Sequence, residues 1–409
     1  MPPIVFYFPY PRVGGVSVLF LRLARRLAVE RDVYLMDLPQ GYMASNLPAG
    51  VRFIPFDRPK DIPTDALVVF QSAPPWRIEN LGSFPPTARL LFWNLHPNNL
   101  NPLLFQQGSR LERLWGFSGV NRLLSLGRKR RLVRTCQLLC DRQSLVFMDA
   151  ENHGHTQTGL GLALPARLLP ITTDDRPEGL APPTAPVAGE RLRAAWVGRL
   201  EDFKIPILLH TLSRLDAVTS LDIDFEVIGE GAQQAQVEAH VRRLQRVAVQ
   251  FRGHVSHTAL DAELQRQHVV FAMGTAALDS ARLGLPTFCL DFAYRPIEGC
   301  YRYRLLREIQ GYNVGEQITA AHMESVSSLE STLQLVVANY GRESDAALAY
   351  WVANHSPQSV LHRFGDAAQQ ASATIADLVQ AGLHRPDPVT ALVCGCDPRK
   401  VPSNGFILR

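Results

Sequence analysis

The segment AWVGRLEDFKIPILLHTL, residues 195–212, joins a short apolar run to a polar loop and then to a second apolar segment with helical spacing. The apolar run ends at Gly198, Arg199 and Lys204 fall in the loop, and Pro206 stands where a helix can begin. Proline suits the first turn of a helix because its missing N–H would have no partner there. The segment therefore predicts a strand followed by a helix, the repeating unit of an α/β sheet.

The same alternation continues on both sides of this segment. Strands that are apolar without a break are buried on both faces, which is typical of parallel sheets covered by helices. We therefore predict an α/β fold with two Rossmann-like, doubly wound domains that face a cleft. The predicted strands are 4–8, 33–38, 51–56, 66–70, 89–94 and 145–149 in the first half, and 194–197, 225–228, 249–252, 269–272 and 287–290 in the second; the predicted helices are 16–29, 207–215, 233–246, 258–266 and 276–283.

A proline-rich stretch without helical or strand period separates the two halves. It reads RPEGLAPPTAPVAG and predicts a linker at residues 176–189. The halves then become an N-terminal acceptor-binding domain and a C-terminal donor-binding domain, and one option for the last helices is that they cross back to the N-terminal domain. The predicted boundaries are 1–175, 176–189, 190–340, 341–383 for the C-terminal helices and 384–409 for an irregular tail.

The composition is that of a folded globular protein. The 409 residues are 46% hydrophobic and 20% charged, enough apolar material for two domains of ordinary size. No stretch approaches the ~18 uninterrupted apolar residues of a spanning helix, and the N-terminal MPPIVFYFPYP shows no secretion signal. We therefore expect a soluble, cytoplasmic protein. The six cysteines lack the paired spacing of metal ligands, so we predict no metal site.

Chemically useful side chains stand at the ends of two predicted strands in the second half. Arg199 and Lys204 would place two cations at one strand end, where a diphosphate is the natural ligand. In VVFAMGTAALDSARLGLPTFCLD, residues 269–291, Gly274 would allow close backbone approach and Thr275 would cap a helix whose N-terminus suits an anion. Asp279, one turn later on the same face, could accept hydrogen bonds from ribose hydroxyls.

Two weaker candidates lie in the first half. Gly14 and Gly15 follow the first strand but lack the GxGxxG spacing of a dinucleotide fingerprint, so they predict only a tight loop open to a ligand. His96, in FWNLHPNN, stands at the end of the fifth strand and is a candidate catalytic residue. Open α/β sheets bind ligands at the carboxyl ends of their strands, so we expect the active site between the two domains.

The second half resembles the donor-binding domain of retaining glycosyltransferases of family 4, which have the two-domain GT-B fold. The resemblance is carried by four landmarks in order over about 100 residues: VGRL followed by a lysine, FEVIGEG, VQFRGHV and GTAALDSARLGLPT. The first half matches only loosely, through the paired glycines and His96.

The resemblance implies roles for these residues. Arg199 and Lys204 would bind and neutralise the diphosphate of a nucleotide-sugar, so that no divalent metal is needed, and Asp279 would bind the ribose. The family usually has a glutamate at the position of Phe271; here the backbones of Gly274 and Thr275 would replace it, or the donor-sugar contact is absent. The implied donor-binding set comprises Gly14, Gly15, Gly253, His254, Val255, Gly274, Thr275 and Asp279.

Positive charge is concentrated in one segment. Residues 110–134 carry a net charge of +7, whereas the rest of the chain is at −3. The segment interleaves cations with apolar residues, which is typical of interfacial membrane-binding helices, but a solvated helix with leucines packed inward explains it equally well. A nucleic-acid interface is disfavoured because the remainder supplies no basic groove. The residues that would face a membrane are Trp115, Phe117, Arg128, Lys129, Arg130, Arg131 and Arg134.

Together these features predict a hexosyl- or related glycosyltransferase without a cofactor, since the nucleotide-sugar is a substrate. Retention of configuration is implied by the resemblance, the acceptor would be a glycan or lipid-linked glycan in cell-surface polysaccharide or glycoconjugate synthesis, and the location would be the cytoplasm or the inner face of the cell membrane. Two alternatives stay open. One is a sugar-nucleotide 2-epimerase of the same architecture, disfavoured by the few acidic residues in the motifs; the other is a degenerate binding partner, motivated by Phe271.

Overall fold

The computed structural model describes residues 2–104, 118–323 and 328–394. The chain divides into two compact units. The first unit is Met1–Ile171 with Val360–Arg409, and the second unit is Thr172–Ser359. Among the described residues, no helix is both long and apolar enough to span a bilayer.

The first unit contains a six-stranded parallel sheet in the order β3-β2-β1-β4-β5-β6. Helices follow β1, β2, β5 and β6, whereas β3 and β4 are followed by short 3₁₀ turns. The strands are β1 (Ile4–Tyr7), β2 (Val33–Asp37), β3 (Val51–Pro55), β4 (Leu67–Gln71), β5 (Arg89–Asn94) and β6 (Leu145–Phe147), and the helices are α1 (Gly15–Leu27), α2 (Tyr42–Ser45), α3 (Ser118–Leu124), α4 (Leu126–Asp141) and α5 (Ala150–Leu160).

Both faces of this sheet are buried, and neighbouring residues of a strand serve different cores. Phe6 packs on one face with Phe20, their ring centroids 4.9 Å apart. Tyr7 packs on the other face with Phe70, at 5.1 Å. This alternation follows from the two-residue period of a strand and explains why the strands are apolar throughout.

The second unit contains a six-stranded sheet in the order β12-β11-β10-β7-β8-β9, parallel except for the edge strand β12. β12 has only two residues, which is too short for a sequence pattern to reveal. The strands are β7 (Leu192–Val197), β8 (Ile223–Ile228), β9 (Ala248–Gly253), β10 (Val269–Ala272), β11 (Thr287–Cys289) and β12 (Arg304–Leu305), and the helices are α6 (Ile205–Asp216), α7 (Gln234–Val241), α8 (His257–Leu264), α9 (Thr275–Arg282), α10 (Leu329–Ala338) and α11 (Tyr340–Asn354).

The end of the chain packs on the first unit. Phe364 lies 5.8 Å from the ring of Phe6, and the Arg89 guanidinium donates to the Ala371 carbonyl at 3.0 Å. The tail from residue 384 was expected to be irregular, but it contains a helix that packs against α4. The last helices are α12 (Pro357–Gln370), α13 (Ile375–Gln380) and α14 (Pro388–Cys394).

The helix predicted at 233–246 ends early, at Val241. The Asp216 carboxylate accepts from the backbone N–H groups of Gln245, Arg246 and Val247 at 2.7–3.1 Å. These groups therefore have a side-chain acceptor in place of the carbonyls of a continuing helix.

The carboxylate of Asp37 organises the first loops of the first unit. It is fully buried and accepts from backbone N–H groups of Tyr10 (2.9 Å), Leu38 (2.7 Å) and Met43 (3.0 Å). Burial raises the pKa of Asp37, while these hydrogen bonds oppose that rise. An acidic residue at the end of the second strand thus has a structural role here.

Candidate functional site

The candidate site lies at the carboxyl edge of the second sheet, where β7 runs between β10 and β8. Val197, the last residue of β7, pairs with Ala272 of β10 and with Ile228 of β8. The loops that begin at Gly198, Met273 and Gly229 therefore leave the sheet side by side. This is the position at which open α/β sheets bind ligands.

Backbone contacts hold two of these loops together. Gly198 N–H donates to the Ile228 carbonyl at 3.0 Å, and the indole N–H of Trp196 donates to the Gly198 carbonyl at 3.1 Å. Gly229 has a φ of +135°, and a Cβ at this position would lie 2.2 Å from the Gly198 carbonyl oxygen. Only glycine permits this approach, so Gly229 fixes the loop that carries Arg199.

The guanidinium of Arg199 is accessible. Its side chain is 76% exposed and forms an ion pair with Glu201, with 3.4 Å between the Arg199 nitrogen and the Glu201 oxygen. An exposed ion pair of this kind contributes little to stability, so Arg199 can turn toward a ligand at low cost.

Lys204 lies at the start of α6 and is more enclosed. Its ammonium is 5.8 Å from the ring centroid of Phe203, and a Cβ on Gly198 would lie 3.6 Å from the same nitrogen. Burial, and secondly the charge of Arg199, lower the pKa of Lys204 to about 8. Two cations held close together in this way favour an anionic ligand, which would relieve their repulsion.

The N-terminus of α9 follows the neighbouring strand. Gly274 is its N-cap, with a φ of +64° that favours glycine, and nothing lies within 4 Å of the place a Cβ would take. The N–H of Gly274 donates to the Val314 carbonyl at 2.6 Å. The prediction that Thr275 caps this helix was wrong, because Thr275 is its first residue, and its side chain is exposed. The open helix N-terminus remains suited to an anion.

Asp279 is placed differently from our expectation of a carboxylate presented to ribose. It is only 5% exposed, and its Oδ1 accepts from the Arg282 guanidinium at 3.3 Å. Arg282 also pairs with Asp261 and donates to the Asp175 carbonyl at 3.0 Å. In this structure the Asp279 carboxylate therefore belongs to a buried ion-pair network, and its contact with ribose stays a prediction.

Phe271 is a core residue. It lies within β10, fully buried, with its ring stacked on that of Phe288 at 4.6 Å between centroids. The position that the resemblance matches to the family's glutamate therefore lies inside the sheet, and a carboxylate there would be buried without the solvation it needs.

The third predicted loop of the site begins at Gly253, the last residue of β9. Its carbonyl accepts from Gly229 N–H at 2.9 Å, which ties it to the central loops. His254 is exposed, and Val255 packs partly against the core on the α9 side. Their predicted place beside a nucleobase stays a prediction.

In the first unit, His96 follows β5 and is half-buried. Its Nδ1 accepts from the Asn98 N–H at 3.1 Å, which leaves the ring proton on Nε2. Burial, and secondly the charge of His155, lower the pKa of His96, so the ring is neutral at pH 7. This geometry makes His96 a hydrogen-bond donor through Nε2; its predicted catalytic role stays a prediction.

The paired glycines of the first unit begin α1. Gly14 is its N-cap, and Gly14 N–H donates to the Ser17 hydroxyl at 3.0 Å. Space is open around Gly15, since nothing lies within 4 Å of the place a Cβ would take. No ligand role follows from this geometry, and the predicted tight loop open to a ligand stays a prediction.

The basic segment is only partly a surface. Arg128 was predicted to face a membrane, but it is 4% exposed, with its guanidinium 5.8 Å from the Trp76 ring and its Nε donating to the Asn101 carbonyl at 3.2 Å. That prediction was wrong because α4 turns this position inward. Arg131 is half-buried and donates to the carbonyls of Gly382 and Arg385.

Other members of the segment are exposed to varying degrees. Lys129 is half-buried, whereas Arg130 and Arg134 are exposed, as is Arg122 on α3. Trp115 and Phe117 lie outside the described residues. Among the described residues of α3 and α4, three apolar side chains are exposed: Val120 (46%), Leu123 (67%) and Leu126 (44%).

One group of side chains among the described residues could hold a metal ion: Asp291, Glu316 and His322. The Arg304 guanidinium donates to Asp291 at 2.7 Å and to Glu316 at 3.2 Å, and His322 lies 3.0 Å from Glu316. Hydrogen bonding to Glu316 raises the pKa of His322. The carboxylate oxygens of Asp291 and Glu316 are therefore already bound by Arg304 and His322 within an internal ion-pair network. A metal ion would have to compete with the Arg304 guanidinium for them.

The fold is similar to that of solved glycosyltransferases. A glycosyltransferase from Rickettsia africae matches with a TM-score of 0.58 at 10% identity, over 90% of this chain and 98% of that one. The lipopolysaccharide outer core galactosyltransferase WaaB matches at 0.54, with 10% identity over 90% and 99% of the two chains. HepE of Anabaena, solved with UDP and glucose, matches at 0.53, with 12% identity over 90% and 99%. The chain thus has the GT-B fold, as predicted.

No protein-family model and no curated protein matches the sequence. Membership of family 4 therefore stays a prediction. The sequence analysis did not identify Trp196, whose indole N–H donates to the Gly198 carbonyl. A tryptophan near the end of a buried strand needs an acceptor for its N–H, and that requirement could have pointed to the contact.

We predict that Gly229→Ala destabilises the second unit by about 3 kcal/mol, since overpacking costs ~1–3 kcal/mol and positive φ a further ~1–2 kcal/mol. Urea unfolding would measure this loss. Gly341→Ala is the matched control, because its Cβ enters open space on α11 and should change stability by less than about 1 kcal/mol. Equal stability of both variants would contradict the close approach of the two loops.

Proposed function

We propose that this protein is a glycosyltransferase that moves a sugar from a nucleoside-diphosphate sugar to a glycan or glycolipid acceptor. The observation that carries the proposal is the juxtaposition of Arg199 and Lys204 with the open N-terminus of α9, on the adjacent strands β7 and β10. The fold supports it, because the structural neighbours carry the names of glycosyltransferases. Synthesis of a cell-surface polysaccharide or glycoconjugate is the proposed setting.

The chemistry requires stabilisation of a departing diphosphate. The bond between the anomeric carbon and the phosphate oxygen breaks, both electrons stay with the diphosphate, and an acceptor hydroxyl forms the new bond. Negative charge therefore grows on the phosphate oxygens in the transition state. Preorganised cations and a helix N-terminus are suited to that charge. We propose that Arg199 binds two phosphate oxygens and that Lys204 acts as a point charge.

We further propose that transfer proceeds with retention and without a divalent metal. Retention rests on the resemblance in sequence alone. Metal independence rests on the two cations, which supply the charge that a metal would otherwise provide. UDP is the first nucleotide to test, because HepE was solved with UDP and with UDP-glucose.

We predict that Arg199→Ala and Lys204→Ala each weaken UDP binding about tenfold, roughly 1.4 kcal/mol, because each removes a charge-assisted contact. Calorimetry at pH 7 measures the affinity, with Arg342→Ala, an exposed arginine on α11, as the control that leaves it unchanged. A chelator should have no effect. Unchanged binding in both site variants would contradict the assignment, as would the absence of thermal stabilisation by UDP, GDP, ADP and dTDP alike.

The lowered pKa of Lys204 predicts a pH dependence. Lys204 loses its proton as pH rises through about 8, and a diphosphate binds the protonated form more tightly. UDP affinity should therefore fall above pH 8, by up to about tenfold per pH unit, while the phosphate charge is already constant because its pKa is near ~6. In Lys204→Arg the cation stays charged, so the affinity should be flat from about pH 7 to 9. The same fall in both proteins would contradict the role of Lys204.

We also propose that α3 and the exposed part of α4 attach the protein to an anionic membrane surface, which would suit a lipid-linked acceptor. Arg122, Arg130 and Arg134 are exposed there beside three exposed apolar side chains. Each basic residue near such a surface contributes about 1 kcal/mol. The surface is smaller than the sequence suggested, because Arg128 and Arg131 are held within the first unit.

We predict that the triple change Arg122→Gln, Arg130→Gln and Arg134→Gln weakens sedimentation with vesicles containing anionic lipid at least tenfold, and that salt weakens the wild type similarly, since ~3 kcal/mol of screened attraction is lost. The matched control changes three exposed arginines of the second unit to glutamine: Arg242, Arg243 and Arg342. Equal binding to neutral and anionic vesicles would contradict the proposal.

A further inference from the structure

Two grooves on the second unit lie outside the diphosphate site. The larger, of about 610 Å³, is lined by residues of α6 and α7, and the smaller, of about 430 Å³, is lined by residues 293–298 with Gln317, Ile318 and Met323. Tyr294, Pro296 and Ile297 line both grooves. The loop 293–298 therefore forms part of the wall of both grooves, and we call it the ridge.

Tyr294, at the crest of this ridge, is a fixed and exposed aromatic surface. It is 67% exposed, whereas tyrosine side chains in folded proteins are usually more buried. Its ring packs nearly perpendicular to that of Phe292, with 5.9 Å between the centroids, and the centroid of the Phe203 ring lies at 6.4 Å. A ring held in place in this way presents its face without the entropic cost of ordering it.

Planar amides face the larger groove. Gln233 and Gln236, at the beginning of α7, line it; Gln233 is half-buried and Gln236 is exposed. Each amide offers two donors and one acceptor, a set that can span neighbouring hydroxyl groups. The hydroxyl of Ser213, which lies 2.9 Å from His240, adds a further polar group to the wall.

The grooves carry no excess of charge that would select an ion. Burial lowers the pKa of His210 and of His240, so both rings are neutral at pH 7. The remaining charged residues of the two linings balance, two of each sign: Asp202, Glu298, Arg214 and Arg295.

We infer that the ridge and its two grooves form a glycan-binding surface that takes a neutral oligosaccharide of several sugar units. A sugar presents an apolar C–H face that packs on an aromatic ring and an array of hydroxyl groups that amides bridge; Tyr294 and the two glutamines supply both partners. A nucleotide or phosphate would find no net positive charge here, and a lipid chain would meet half-polar walls. The inference deepens the proposed function, on which the choice of a glycan rests. The surface would hold a glycan chain beside the loop that carries Lys204, since the Ala293 N–H donates to the Phe203 carbonyl at 3.1 Å.

The experiment uses the full chain on an array of neutral and acidic microbial oligosaccharides of graded length, followed by calorimetric titration of the strongest binder. We expect neutral chains to bind, longer ones more tightly, and Tyr294→Ala and Gln236→Ala each to weaken binding about tenfold, the equivalent of about 1.4 kcal/mol. The matched controls are Leu335→Ala on α10 and Gln250→Ala on β9, both exposed and outside the two grooves, and neither should change the affinity.

UDP titrations of the same variants separate this inference from the proposed function. Gln236→Ala, on α7, should bind UDP as the wild type does, and Arg199→Ala should bind the oligosaccharide as the wild type does. Binding of no glycan, binding of acidic glycans alone, or glycan binding that survives both groove changes would overturn the inference. If the wild type binds the glycan but does not bind UDP, the donor assignment would be overturned instead.

Discussion

The position of β7 between β8 and β10 is the constraint on which the candidate site depends. Parallel pairing brings the ends of these three strands to one edge, so loops far apart in sequence begin a few ångströms from each other. The contact between Gly229 and the Gly198 carbonyl then sets how close two of the loops come. That contact therefore fixes the position of the loop that carries Arg199.

Lys204 shows how the fold sets the chemistry of a side chain. Its ammonium is partly enclosed and lies near a second cation, and both effects disfavour its charge. The free protein therefore bears an unfavourable interaction that a bound anion would relieve. Sites that bind ligands often retain such unfavourable arrangements, because the ligand completes them.

Where this chain departs from the pattern of family 4, the departures have physical reasons. Phe271 belongs to the stacked aromatic core of the second sheet, together with Phe288, so this strand has no place for a carboxylate. Asp279 is drawn into the network of Arg282, which satisfies its charge within the fold. The functions proposed for this chain consequently rest on cations and backbone N–H groups rather than on acidic side chains.

The sequence by itself determined the two sheets, because unbroken apolar strands and amphipathic helices leave a local pattern. It also located Arg199, Lys204 and Gly274 in the loops that follow two strands, while their roles stay predictions. It did not reveal β12, which is too short to have a pattern, or that Arg128 points inward, since α4 presents basic residues on more than one side. The burial of Lys204, the ion pair of Asp279 and the exposure of Tyr294 between two grooves depend on contacts between distant segments. Only the tertiary structure decides such contacts, because charge, pKa and accessibility are set by neighbours in space and leave no local trace in the chain.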